Sequence, residues 1–231
     1  MNIADSRVYV EHVQHMFSPQ RVERLRRHLL EVEGPQQAIV ATERERLAVS
    51  RGVTTDALRM DPVWFEIWRE LPEASRKALG PFCWVIFPPQ VRILRQLPHC
   101  VPWHQDIAYQ RLLGSRCHWR VITCFIPLDE NPWERATVEF GPSEEHEVQH
   151  VPMGMYEAGI PRDSLDGWHY LLRPGDCLLF GDYAIHRTFL PKDAVLERRS
   201  LELRLVRRQD ALDVKDYFDV DSGQMVRKGP G

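Results

Sequence analysis

From Pro81 onward the chain changes character, and this change restricts the fold more than any other feature. Short runs rich in Val, Ile, Phe, Trp and Cys alternate with Pro, Gly, Asp and Asn. The runs fall at 82–87, 90–95, 101–107, 119–127, 136–140, 147–152, 176–180, 184–190 and 199–207. Many short strands separated by turn signals predict a β-sandwich or barrel. The first third reads differently. Ser18 is an N-cap, Pro19 occupies the first helical position, and Val22, Leu25, Leu29 and Val32 follow at helical spacing up to Gly34. A second helix is expected at 62–71, with Trp64 and Trp68 in the core, then a piece between Pro72 and Gly80. Residues 35–60 are polar and mixed, either a short helix near 43–47 or a loop.

The expectation is one domain, mainly β with N-terminal helices: a helical part at 1–80, a β core at 81–207 and an unpatterned tail at 208–231. Residues 153–173 read as an insertion covering the mouth of the barrel. The 231 residues are right for one domain, and a net charge of −3 gives no basic field for nucleic acid. The longest apolar runs fall short of the ~18 residues of a membrane span, and Met1–Arg7 has no signal-peptide pattern. A cytoplasmic protein is therefore expected, with oligomeric state left open. Five cysteines without a CxxC pair argue against a disulfide framework or a structural zinc site.

Within the run at 101–107, His104 and Asp106 stand two residues apart. On a strand, such residues point to one face and could share a metal ion. His186, 82 residues later, is the best third ligand. Two histidines and a carboxylate on one side of an octahedron make the facial triad of non-haem Fe(II) oxygenases, which leaves positions open for substrate and oxygen. Ligating histidines must be neutral, so an ordinary histidine predicts loss of activity below about pH 6. The other histidines have no partner at ligand spacing, and His12 and His15 read as surface residues.

The Trp103–Asp106 motif, the run Arg173–Phe180, His186 and Arg198-Arg199-Ser200 together resemble the phytanoyl-CoA dioxygenase-like branch of the Fe(II)/2-oxoglutarate-dependent oxygenases, over roughly residues 82–206. The resemblance implies a double-stranded β-helix (jelly roll, cupin-like) that binds Fe(II) through His104, Asp106 and His186. It also implies 2-oxoglutarate as co-substrate, O2 as oxidant, and hydroxylation of a small molecule with release of succinate and CO2. The far carboxylate of 2-oxoglutarate would meet an arginine. Arg198 is preferred, as part of an Arg-x-Ser pattern with Ser200; Arg199 is the alternative and would face the other way. Asp106 fills the position that related halogenases leave empty for a halide, which favours oxygenation. Thr123 is expected in the cofactor pocket, and Arg92, Tyr109 and Trp168 against the substrate. Trp103 is expected to pack under the ligand loop. Two other readings stay open: a cupin-type metalloenzyme that does not use 2-oxoglutarate, and a non-catalytic barrel acting as a binding protein.

Overall fold

The computed structural model describes residues 6–36, 66, 68–69, 71–87, 90–94, 100–108, 120–154, 156–161, 165–193, 197–211 and 216–226. In chain order its elements are β1 (Val10–Val13), α1 (Pro19–Gln36), α2 (Glu73–Leu79), β2 (Trp84–Phe87), β3 (Gln90–Leu94), β4 (Ile122–Pro127), β5 (Thr137–Phe140), β6 (Val151–Met153), β7 (Tyr156–Gly159), β8 (Trp168–His169), β9 (Cys177–Gly181), β10 (His186–Phe189), β11 (Arg198–Val206), β12 (Asp216–Asp219) and β13 (Gln224–Val226). Strand dominates, and every pairing between these strands is antiparallel.

Two sheets face each other. The larger runs β1-β9-β4-β11-β2-β12-β13, with β3 also on β11; the smaller runs β10-β5-β8, and β6 and β7 form a separate ribbon. Alternation along each strand sorts the side chains into two layers. Ile122, Cys124 and Ile126 of β4, Cys177 and Leu179 of β9, and Leu201, Leu203 and Leu205 of β11 pack with Met16, Phe17, Val22, Leu25 and Leu79 on the helical side. The intervening Phe125, Leu178 and Phe180 turn inward and meet Val138 and Phe140 of the smaller sheet. Thr123 pairs with Arg204 and Phe125 with Glu202 across β4 and β11, so Arg198, Ser200, Glu202 and Arg204 share this inner face. The polar residues of β11 therefore line the space between the sheets.

The start of α1 is as expected: the Arg21 N–H donates to Ser18 Oγ at 3.3 Å. The helix continues through Gly34 to Gln36, because glycine lowers helix propensity without forbidding a helical residue. Trp68 is buried against Phe17, edge to face at 6.2 Å. Trp64 and the segment 37–65 lie outside the described residues.

Three expectations are corrected. The run 101–107 is not a strand: His104 forms one isolated bridge, and Asp106 opens a helical turn. Segment 153–173 is not a bare insertion, since it supplies β7 and β8. Residues 208–231 are not an unpatterned tail. β12 pairs with β2 and β13, and Tyr217, Phe218 and Val220 are buried. Asp216-Tyr217-Phe218-Asp219 is too short and lacks the alternation that marks a strand, and it forms because the edge of β2 is there to pair with it.

Candidate metal centre

His104, Asp106 and His186 come together between the sheets. His104 and His186 exchange two backbone hydrogen bonds, N–H to O, each 2.9 Å long. The pairing ties the ligand loop to the first residue of β10. The imidazoles lie side by side, with centroids 4.1 Å apart. Asp106 Oδ1 is 3.7 Å from His104 Nε2 and 3.8 Å from His186 Nε2. One ligand atom from each residue lies within 4.8 Å of the other two, and all three residues are buried.

Both imidazoles are set by the same local device. The Nδ1 of His104 is 2.8 Å from the Pro102 carbonyl oxygen, and that of His186 is 2.9 Å from the Ala184 carbonyl oxygen. A carbonyl only accepts, so each Nδ1 carries the proton and each Nε2 keeps its lone pair toward Asp106. Burial, with His104 alongside, pushes the pKa of His186 down to about 3. Proton uptake by metal-free His186 is thus displaced well below that of an ordinary histidine.

Burial opposes the charge on Asp106, but the Arg204 guanidinium and the His104 imidazole outweigh it and hold the carboxyl well below the usual range. Arg204 Nη2 is 3.5 Å from Asp106 Oδ2, and the Thr123 hydroxyl donates to the same oxygen at 2.6 Å. The donor set of two neutral nitrogens and one carboxylate oxygen suits a first-row divalent metal.

Gln105, between two of these residues, was not singled out by sequence. It is wholly buried and uses every polar atom. Its backbone N–H donates to His150 Nε2 at 3.0 Å, and its Oε1 accepts from the Val148 N–H at 2.9 Å. Its Nε2 donates to the carbonyls of His146 and Tyr183, at 3.0 and 2.9 Å. The Ile107 N–H adds a bond to the Asp182 carbonyl at 3.1 Å, and Arg7 pairs with the Asp182 carboxylate. Gly181 makes this approach possible, because a Cβ there would lie 2.1 Å from the Arg7 carbonyl oxygen. His150 therefore has a structural partner that its spacing did not reveal. His12 is also anchored, with Nε2 2.9 Å from Asp176 Oδ2.

The remaining expected site residues divide. Arg198 is buried on the inner face, with its guanidinium carbon 5.4 Å from the Phe125 ring centroid. Its Nη1 donates to the Thr137 carbonyl at 3.3 Å. Ser200 is 0 % exposed on the same face, and its Oγ has no hydrogen-bond partner among the described residues. The buried Thr137 Oγ1 is likewise unpartnered among them. Arg199 points the other way, toward Asp129 and Glu197. Arg92 stands opposite Ser200 in the β3–β11 register. Trp168 is 41 % exposed beside Phe140, and Tyr109 lies outside the described residues. Trp103 packs under the loop with Val148, Ile160 and Ile185. A second group of potential ligands, Cys83, Asp219 and Asp221, is already met by Arg208, whose Nη2 is 3.2 Å from Asp219 and 2.9 Å from Asp221.

Comparison with protein-family models and with curated proteins gives no match for this sequence. Solved structures do match. An apo form of ThoJ, a non-heme monooxygenase, superposes with a TM-score of 0.58 at 16 % identity, covering 85 % of this chain and 74 % of its own. EctD from S. alaskensis in its apo form superposes with a TM-score of 0.55 at 15 % identity, covering 89 % and 75 %. At these identities the likeness is one of fold. The chain shares the antiparallel fold of these two structures, and in it two histidines and an aspartate come together between the sheets.

Proposed function

We propose that this protein is an Fe(II)- and 2-oxoglutarate-dependent oxygenase of the phytanoyl-CoA dioxygenase-like branch, hydroxylating a small molecule at an unactivated C–H bond. One observation carries the reading: His104, Asp106 and His186 meet between the sheets, on the face shared by Arg198 and by Ser200, whose hydroxyl has no partner among the described residues. A buried hydroxyl without a partner costs stability unless a ligand supplies one. A carboxylate between Arg198 and Ser200 would do so through charge-assisted hydrogen bonds.

In this reading the two Nε2 atoms and the Asp106 carboxylate hold the iron. Thr123 and Arg204 fix the direction and charge of that carboxylate, and Gln105 locks the turn that carries it. Arg198 and Ser200 take the far carboxylate of 2-oxoglutarate and so set which way the co-substrate lies. Phe125, Phe140 and Phe180 keep water from the enclosed space. Iron held there would supply the oxidising chemistry, with 2-oxoglutarate and O2 as co-substrates and succinate and CO2 as co-products.

Anaerobic titration of Fe(II)-loaded protein with 2-oxoglutarate tests this. A weak visible charge-transfer band is expected, lost in Arg198→Ala and kept in Arg199→Ala. No band in the unaltered protein would refute the assignment. An iron-dependent oxidation without such a band would instead describe a metalloenzyme that does not use 2-oxoglutarate.

A further inference from the structure

Three aromatic side chains stand in one row across the smaller sheet. His186 on β10 is in register with Phe140 on β5, and Phe140 with Trp168 on β8. Side chains opposite each other on neighbouring antiparallel strands share a face. Phe140 packs inward with Leu178 and Phe180, so Trp168 faces inward too. The Cα atoms of Trp168 and His186 are two strand spacings apart, roughly 10 Å. Ring centroids are 6.2 Å apart from His186 to Phe140 and 6.1 Å from Phe140 to Trp168.

Exposure changes sharply along this row. Phe140 is 0 % exposed and His186 7 %, whereas Trp168 is 41 % exposed. β8 is only two residues long and forms the edge of its sheet. Its outward neighbour His169 stacks on Phe189 at 4.1 Å, which holds the short strand in register and the indole on the inner side. An edge tryptophan exposed by chance is the plain alternative. Its place in line with a metal-facing histidine, on the face that encloses the triad, argues for a use.

Charge narrows what could lie there. Among the described side chains of the inner face, Asp106 and Glu202 are matched by Arg198 and Arg204, and the register sets Arg92 opposite Ser200. A divalent iron and a dianionic co-substrate would cancel in the same way. No carboxylate among these groups is left to pair with a cationic substrate, which would bring uncompensated charge into poorly solvated surroundings. An aromatic ring gains from an indole face through area and offset stacking.

We infer that Trp168 is the platform for the primary substrate, and that this substrate is an aromatic or fused-ring molecule lying over the indole with its reacting carbon toward His186. The inference rests on the proposed oxygenase reading for the role of the metal. It is tested on the full chain with 2-naphthol as the probe, followed by saturation-transfer NMR. Tetramethylammonium and glucose serve as cationic and carbohydrate comparisons, and Mn(II) affinity is measured on the same samples. Naphthol should bind, should weaken about tenfold in Trp168→Ala, and should be largely retained in Trp168→Phe. Mn(II) affinity should stay constant across all three proteins, and bound Mn(II) should broaden the naphthol signals. Three results would each overturn the inference: no naphthol binding, equal binding to Trp168→Ala, or Trp168-dependent binding of tetramethylammonium or glucose instead. If the unaltered protein failed to take up Mn(II), the metal reading would fall, while the naphthol comparison would still decide the role of Trp168.

Discussion

The hydroxyl of Thr123 offers the sharpest test of the site, because Thr123→Val removes it while keeping the shape of the side chain. The bond it makes to Asp106 is 2.6 Å long, both residues are buried, and Asp106 is held as the anion. A hydrogen bond to a charged group contributes about 1.5–3 kcal/mol. If that energy serves mainly to aim the carboxylate, its loss lowers metal affinity by about 10- to 150-fold, at 1.4 kcal/mol per factor of ten. The range overlaps the roughly 10- to 100-fold typical of groups that orient metal ligands. Mn(II) binding, followed by the EPR signal of the free ion, measures it directly. Thr123→Ser keeps the hydroxyl and should fall between the two. A Thr123→Val protein that melts normally and binds Mn(II) within twofold of the parent would refute the reasoning, because Asp106 would then be aimed by Arg204 and the backbone turn alone.

Further outcomes follow from burial and charge. His186 has a folded pKa of about 3, below the ~6.5 of an unfolded histidine. The unfolded chain binds the extra proton first, so metal-free stability is lost as pH falls below about 6.5, at about 1.4 kcal/mol per unit. Chemical denaturation at pH 7 and pH 5 should show a loss of about 2 kcal/mol from this source. An equal loss in His186→Gln would show that the histidine is not responsible. Gly181→Ala would push a methyl against the Arg7 carbonyl oxygen, and should cost about 2 kcal/mol or more in urea unfolding; a change below about 0.5 kcal/mol, the range of an ordinary surface substitution, would contradict the close approach. Phe218→Ala should cost about 3 kcal/mol or more, since Phe218 is 2 % exposed in the core. A surface-like effect there would mean that the C-terminal hairpin is not part of the folded unit.

Much of the β core was legible because its strands obey one rule. β4, β9 and β11 are buried on both faces or alternate strictly, and each is bounded by proline, glycine or acidic turns. Where the rule had too few residues to act on, it failed. β8 has two residues and β12 four, and both depend on a neighbouring edge that local sequence does not display. The reading of 101–107 as a strand set His104 and Asp106 side by side for the wrong reason. The run is short and bounded by turn signals like the true strands, but the Ile107 N–H is taken by Asp182 and the Ala108 N–H by Gln105. The chain therefore turns after His104 instead of pairing further.

This turn explains why the site was more readable than the loop that bears it. His104, Asp106 and His186 are chemically distinctive, and their order along the chain suffices to propose a shared ion. What aims them is not distinctive. Carbonyls of Pro102 and Ala184 choose the tautomers, and a glutamine braces the turn through the backbone at 146, 148 and 183. A carbonyl is the same group in every residue, so no residue type marks the one that matters. Arg198 and Arg199 show the converse case. The two are identical in type and adjacent, yet strand parity separates them: even positions of β11 face the triad with Thr123 and Phe125, and odd positions join the helical layer. Parity follows from the leucines at 201, 203 and 205, whose burial against α1 leaves only the other face for Arg198. The apolar side of the strand thus decides which arginine can serve the polar side.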